Sequence, residues 1–130
     1  MPRTEVLLYQ EAPQDVPVLD WLRELRRTDR RGYAKCVARV QRLAEMGHEL
    51  RRPEADFLRD GIYELRARRG RVNYRILYFF HGKAVATLAC GLSKEAKVPD
   101  AEIERALRRK VAFEKDPGSH TYKMELASGG

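Results

Sequence analysis

The sequence predicts a single α+β domain in which helices pack on an antiparallel sheet. Apolar residues recur at helical spacing before residue 47 and at every second position between residues 62 and 92. Short turn segments join the later strands, as in an antiparallel meander. The chain has 130 residues, which are enough for one domain and too few for two.

A short strand and two helices are predicted in the first third of the chain. The apolar run within Glu5–Gln10 predicts a buried strand. Asp15 is placed to cap the first helix, and Pro17 suits its first turn. After a charged break, apolar residues at helical spacing predict a second helix from Tyr33 to Gly47. We expect these helices to form a hairpin that packs on one face of the sheet.

The polar side of the second helix and the segment after it are predicted to be exposed. Arg39 and Arg42 lie off the apolar stripe and are expected to face water. The polar residues 47–61, which include Pro53 and Gly61, predict mostly a loop.

Three strands and a C-terminal helix complete the predicted domain. The strands are predicted at Ile62–Arg68, Val72–Phe80 and Lys83–Leu92, with turns at 69–71 and 81–82. Pro99 suits the start of the helix, and Asp100 and Glu102 suit the positive end of its dipole. The domain is therefore predicted to span residues 1–117, and the polar residues 118–130 are predicted to form a flexible tail.

The charge and the cysteines restrict the partners and the compartment. The formal net charge is +7 and the isoelectric point is about 9.7, which favours an anionic partner such as nucleic acid. The apolar run near the N-terminus is too short for a signal peptide or a membrane span, so we expect a cytoplasmic protein without a membrane partner. Cys36 and Cys90 lie in apolar stretches and are expected to be reduced, buried thiols.

Several classes of catalytic site lack their motifs in this sequence. There is no glycine-rich phosphate loop, no nucleophile elbow and no metal ligand set. His48, His81 and His120 fall in predicted loops or turns, without fixed spacing to one another or to a cysteine. These patterns exclude nucleoside-triphosphate, acyl-transfer and zinc chemistry, and we expect no metal and no cofactor.

Strand alternation places charged side chains on one face of the predicted sheet. In the second strand, Glu64, Arg66 and Arg68 alternate with apolar residues that pack on the helices. Arg75 lies in the most apolar strand, where a charge is costly unless it finds a partner or lines a cleft. Two roles of Arg75 stay open: it pairs with Glu64, or it lies in a phosphate-binding cleft. The two roles are compatible.

Five basic side chains are predicted to border one concave face. They are Arg66, Arg68, Arg75, Lys94 and Lys97. Guanidinium groups bind phosphate oxygens in pairs and stabilise negative charge that develops on them. For each residue alone, a solvated surface charge is the open alternative, and the prediction depends on the strand register.

Three segments carry a resemblance to a known family. They are GIYELR at Gly61–Arg66, YRILY at Tyr74–Tyr78 and KEAKVP at Lys94–Pro99. In this order and spacing they resemble the HigB-like, phage-derived branch of the RelE/ParE toxin superfamily. The resemblance covers the C-terminal half of the chain, and the N-terminal helices agree in arrangement. It implies a RelE-like, microbial-ribonuclease-like fold with an N-terminal strand, a two-helix hairpin on one face of an antiparallel sheet, and a C-terminal helix.

The resemblance also implies a function, the toxin of a type II toxin–antitoxin system that cleaves mRNA. In such toxins a ribose 2′-hydroxyl attacks the adjacent phosphate without a metal, usually in the decoding site of the ribosome. By motif position, the implied catalytic residues are Arg75, Arg66, Lys94 and Glu64. Arg75 stabilises the transition state, and Glu64 acts as a base or orients Arg75. The residues expected to bind RNA are Arg68, Lys97, Asn73 and Arg71.

The implied partners are mRNA, the ribosome and a cognate antitoxin with a helix-turn-helix domain. Two other functions stay open on the same fold. One is a ParE-like poison of DNA gyrase without nuclease activity, and the other is a non-catalytic nucleic-acid-binding or regulatory domain. The cationic cleft favours the ribonuclease over the gyrase poison.

Overall fold

The computed structural model describes residues 3–93 and 97–123. Within them the chain forms β1 (Glu5–Tyr9), α1 (Pro17–Thr28), α2 (Arg30–Met46), β2 (Ala55–Arg59), β3 (Ile62–Arg69), β4 (Val72–His81), β5 (Val85–Ser93), α3 (Asp100–Lys115) and β6 (Thr121–Tyr122). Short 3-10 turns lie at Gly47–Glu49 and Pro117–His120. The predicted α+β class is confirmed for this part of the chain.

The strands form one six-stranded sheet in the order β2-β3-β4-β5-β1-β6. The predicted meander of β3, β4 and β5 is present with antiparallel pairing. The prediction of a wholly antiparallel sheet is wrong, because β1 pairs parallel to β5, with Leu7 opposite Thr87. The helical hairpin carries the chain from β1 to the far edge of the sheet, and the meander returns it beside β1 in the parallel direction.

Each face of the sheet carries its own apolar core. On one face α1 and α2 pack over the strands, and the buried residues there include Leu22, Val40, Leu65, Ile76 and Leu88. On the other face α3 packs over a set that includes Leu7, Ile62, Leu77, Phe79 and Phe113. The predicted hairpin on one face is confirmed, and α3 lies on the opposite face.

Helix α1 packs so close to β5 that one position of the strand requires glycine. A Cβ atom at Gly91 would overlap the indole ring of Trp21. Only a residue without a side chain lets α1 lie this near the sheet. The two cysteines, Cys36 on α2 and Cys90 on β5, are free and buried, as predicted. Burial raises the pKa of the Cys36 thiol to about 12.

The segment predicted as a loop after α2 contains the edge strand β2, which pairs with β3. The expectation that Arg39 and Arg42 face water is met only in part, since their side chains are 35% and 42% exposed but their guanidinium groups are bonded within the protein. Arg42 donates to both carboxylate oxygens of Glu54, at 2.9 and 3.1 Å, and Arg39 donates to the main-chain oxygen of Arg66 at 2.8 Å. The bonds to Glu54 fasten the residue before β2 to α2, and the bond to Arg66 ties α2 to β3.

The helix starts differ in part from the prediction. Pro17 occupies the first turn of α1, as predicted, but Val16 stands at the cap position and no side chain caps it, so the cap predicted at Asp15 is wrong. Asp29 caps α2, where its carboxylate accepts a hydrogen bond from the main-chain N–H of Gly32 at 3.0 Å.

The residues that follow Asp116 form a 3-10 turn and the short strand β6. Thr121 and Tyr122 pair with Tyr9 and Leu8 of β1, and they cover the outer edge of that strand. The ring of His120 stacks on Tyr9, with centroids 5.3 Å apart. The remainder of the predicted tail, 124–130, lies outside the described residues. None of the helices in the described part of the chain is long and apolar enough to cross a membrane.

Candidate functional site

The strand register gathers charged side chains on the α3 face of the sheet. Glu64 and Arg66 of β3 share this face with Arg75 of β4, and Arg66 lies directly opposite Arg75. The predicted alternation is confirmed, since Leu65 and Ala67 between them are buried in the core under α1 and α2.

A buried ion pair stands at the centre of this group. The Nε atom of Arg75 lies 3.3 Å from Oε1 of Glu64, and the two side chains are 9% and 8% exposed. The predicted pairing of these residues is therefore confirmed. Arg66, which is 41% exposed, places its Nε 3.6 Å from the same oxygen.

The Glu64 carboxyl is poorly bonded for a buried acid. Among the described residues, its Oε1 has no partner with hydrogen-bond geometry, although two guanidinium groups lie at ion-pair distance. Burial raises the pKa of Glu64 above its ordinary value, and the charges of Arg75 and Arg66 oppose that rise. Oε1 therefore has an unused acceptor position, and the carboxyl has an increased affinity for a proton.

These residues form part of the floor of an open cleft of about 540 Å³. Its walls are Arg52, Asp56, Phe57, Leu58, Arg59, Glu64, Arg66, Arg75, Lys97, Val98, Asp100 and Ile103. Strands β2, β3 and β4 supply one side, and the start of α3 with the residues before it supplies the other. Lys97 is exposed at the rim, and Lys94, the other predicted loop cation, lies outside the described residues.

A smaller groove of about 180 Å³ continues the cleft along β3 and β4. It is lined by Pro53, Arg66, Ala67, Arg68, Asn73, Tyr74 and Arg75. The predicted RNA-binding residues Arg68 and Asn73 thus lie beside Arg66 and Arg75. Arg68 is held by a bond from its Nε to the main-chain oxygen of Gly70 at 2.8 Å. Arg71 is exposed in the β3–β4 turn and lines neither cavity.

Three charged residues of the cleft, Arg52, Asp56 and Arg59, were not predicted as site residues, because residues 47–61 were interpreted as a loop. Asp56 of β2 lies opposite Glu64 in the register, and its carboxylate pairs with Arg52 at 2.8 Å. The hydrogen bond from Arg52 lowers the pKa of Asp56. Asp56 is thus the ionised neighbour of Glu64, and it helps to raise the pKa of that group. The alternation of Ala55 and Phe57 with the acidic residues Glu54 and Asp56 was the signal available for this strand.

The histidines lie away from the cleft, in aromatic contacts. His48 stacks on Phe80, His81 packs edge-on against Phe113, and His120 stacks on Tyr9. Within residues 3–93 and 97–123, no cluster of three or more His, Cys, Asp or Glu side chains is placed to hold a metal ion. The chemistry that the cleft offers is that of arginine, lysine and a carboxyl group of raised pKa.

Comparison with known proteins gives one family. The family model described as "Phage derived protein Gp49-like (DUF891)" matches residues 20–111, well over half of the chain. The matched segment runs from α1 into α3 and contains β2, β3 and β4, which carry most of the cleft. No curated protein matches the chain significantly.

Proposed function

Because this chain belongs to the Gp49-like family of phage-derived proteins, a toxin-like family of the RelE/ParE superfamily, we propose that it is an mRNA-cleaving toxin of the HigB-like branch. The observation that carries the proposal is the buried Glu64–Arg75 pair, with Arg66 beside it, at the floor of an open cationic cleft. The proposed reaction needs phosphate binding, stabilisation of charge and proton transfer, and this group offers all three.

The proposed reaction is transesterification followed by departure of the 3′ fragment. The ribose 2′-hydroxyl loses its proton to a base, and its oxygen forms a bond to the adjacent phosphorus. The P–O5′ bond breaks, and O5′ takes up a proton as it leaves. The products are a 2′,3′-cyclic phosphate and a free 5′-hydroxyl, and no metal or cofactor takes part.

Arg75 and Arg66 are the proposed stabilisers of the phosphorane-like transition state. They lie opposite each other on neighbouring strands, so that their guanidinium groups reach one phosphate from two sides. Arg75 is held in the sheet by Glu64 and needs little reorganisation when substrate binds. Arg66 is partly exposed and meets the incoming phosphate at the cleft wall.

Glu64 is the proposed general base. Its raised pKa makes it a better proton acceptor than an ordinary glutamate, and its Oε1 accepts no hydrogen bond from the described residues. The same carboxylate orients Arg75, so that loss of Glu64 affects both proton transfer and charge stabilisation. Lys94 is the proposed fourth member of the catalytic group.

The basic residues around the cleft are proposed to hold the RNA backbone. Lys97 lies at the rim, Arg68 and Asn73 line the adjoining groove, and Arg71 extends the basic surface at the turn. With a net charge of +7, binding should weaken steeply as salt rises. The proposed partners are mRNA in the ribosomal decoding site and a helix-turn-helix antitoxin in the cytoplasm.

The test is induced expression in a bacterium, with growth followed and mRNA 5′ ends mapped. The variants are Arg75→Ala and the control Arg27→Ala, whose side chain is 72% exposed on α1 and pairs with Glu24. We expect wild type and the control to stop growth and to create new 5′ ends within translated frames. Arg75→Ala should do neither, while circular dichroism shows that it folds.

Two results would contradict the proposal. Growth arrest without new mRNA ends would make a gyrase poison the better account. No effect of the folded wild-type protein on growth or RNA would favour a non-catalytic binding domain on the same fold.

A further inference from the structure

A second depression adjoins the cleft around the outer edge of the sheet. It has a volume of about 410 Å³ and is lined by His48, Leu50, Arg51, Arg52, Ala55, Asp56, Phe57 and Tyr63. Arg52, Asp56 and Phe57 also line the cleft that contains Glu64. The two depressions therefore meet at these shared residues, on either side of the edge strand β2, which is about 5 Å wide.

Phe57 is the aromatic side chain exposed at this junction. It is 53% exposed, and the other large apolar side chain exposed to this degree in the described part of the chain is Val111, at 51%. Strand alternation turns Asp56 towards the cleft and Phe57 towards the second depression. The ring meets Tyr63 edge-on, with centroids 5.1 Å apart and planes at 66°. This contact fixes one side of the Phe57 ring and leaves the rest to solvent.

The charged residues at this depression are Arg51, Arg52 and Asp56, so the positive charges outnumber the negative ones. Arg51 and Arg52 are exposed at the depression, and Arg52 is held in place by Asp56 at 2.8 Å. An exposed aromatic ring beside guanidinium groups is the chemistry that binds a nucleobase together with its phosphate, because the base stacks and the phosphate accepts hydrogen bonds.

We infer that Phe57 stacks on the nucleobase next to the scissile phosphate, and that Arg51 and Arg52 bind the adjoining backbone phosphate. The inference rests on the proposed function, since it takes single-stranded RNA as the ligand. The RNA then bends around β2, with the reacting phosphate at Arg75 and the neighbouring base on the other side of the edge strand. Phe57 is thus a binding and specificity residue, outside the reacting group.

The first experiment measures RNA affinity with the purified full chain. The probe is a short fluorescein-labelled single strand with 2′-O-methyl riboses, which lacks the attacking hydroxyl and is not cleaved. We expect Phe57→Ala to raise the Kd about ten-fold and Phe57→Trp to keep the wild-type value, because tryptophan also stacks. Val111→Ala, the matched control for loss of an exposed apolar side chain, should leave the Kd unchanged.

An abasic probe separates stacking from a general change of the surface. One base is removed at successive positions along the same oligonucleotide. At one position the loss should weaken binding to wild type about ten-fold and should not weaken binding to Phe57→Ala further. At the other positions both proteins should respond alike.

Three results would overturn the inference. They are equal Kd values for wild type and Phe57→Ala, equal losses for both proteins at every abasic position, and no measurable binding of the probe to wild type. Unchanged RNA affinity in Phe57→Ala would direct attention to a protein ligand for this depression. The mapped mRNA ends of the wild type test the proposed function independently. If the wild type cleaves mRNA and Phe57→Ala creates the same ends, the stacking site is rejected and the proposed function stands.

Discussion

Two carboxylates with little exposure lie beside arginines of β3, and they are bonded in different ways. Asp29 joins α1 to α2 and accepts three hydrogen bonds, from the Gly32 N–H at 3.0 Å, the Tyr74 hydroxyl at 2.5 Å and Arg69 Nε at 2.6 Å. These bonds, that of Tyr74 first, lower the pKa of Asp29. Glu64 has the guanidinium groups of Arg75 and Arg66 nearby, but its Oε1 accepts no hydrogen bond from the described residues. Burial raises the pKa of Glu64.

On the proposed mechanism, this difference separates a carboxylate that holds the fold together from one that takes part in the reaction. Asp29 is saturated with donors, and it ties the helical hairpin to β3 and β4 on the α1–α2 side of the sheet. Its charge is stabilised, so it has little tendency to take up a proton. Glu64 faces a cleft and keeps an acceptor site and a raised proton affinity. Buried polar atoms without partners are uncommon in folded proteins, and at a cleft they indicate a site for a ligand.

The strongest test of this comparison replaces one arginine beside each carboxylate with alanine. Arg66 and Arg69 lie on the same strand and are 41% and 44% exposed. Arg66→Ala should lower the single-turnover cleavage rate of mRNA about 100-fold, because it removes a donor to the developing charge. Arg69→Ala should keep the rate within about three-fold of the wild-type value, because Arg69 contacts Asp29 and not Glu64. Equal losses in the two variants would contradict the assignment.

The second prediction concerns the stability that the Asp29 network supplies. Tyr74→Phe removes the hydroxyl that donates to Asp29, and it should lower the free energy of unfolding by about 2 kcal/mol. Tyr63→Phe is the control, because its hydroxyl has no hydrogen-bond partner among the described residues. Urea unfolding followed by circular dichroism measures both. A Tyr74→Phe protein as stable as the control would show that this network is dispensable.

The smallest expected effect is on the pH dependence of stability, and its sign differs between the two carboxylates. Asp29, with its lowered pKa, contributes stability above the ordinary value of 3.8 that is lost as pH falls. Glu64, with its raised pKa, contributes stability below the ordinary value of 4.5 that is lost as pH rises through the raised value.

Urea midpoints from about pH 3 to about pH 7 test these signs. As pH rises, wild type should gain stability relative to Asp29→Asn and lose stability relative to Glu64→Gln. Slopes of the same sign for both variants would show that the two carboxyls do not differ as described.

The sequence predicted the central part of the candidate site because strand alternation is a local signal. A period of two in β3 and β4 placed Glu64, Arg66 and Arg75 on one face, and the register then fixed the Glu64–Arg75 pair. The Pro17 and Pro99 signals likewise located two helix starts, since proline suits those positions.

The missed features depend on contacts between distant segments. Nothing local shows that Glu54 is held by α2, so the polar stretch that leads into β2 was interpreted as a loop, and Asp56 and Phe57 were missed with it. The parallel pairing of β1 with β5 also follows from the path of the chain. Asp29 carried a capping signal, but it stood within a run of charges.

The most direct test of the central claim is the pH dependence of single-turnover mRNA cleavage by wild type and Glu64→Gln, on ribosomes carrying a defined message. If Glu64 is the base, the wild-type rate should rise with pH through an apparent pKa above the ordinary value of 4.5. Glu64→Gln should be about 100-fold slower or more, without that rise. A folded Glu64→Gln protein that cleaves at the wild-type rate with the same pH profile would contradict the account.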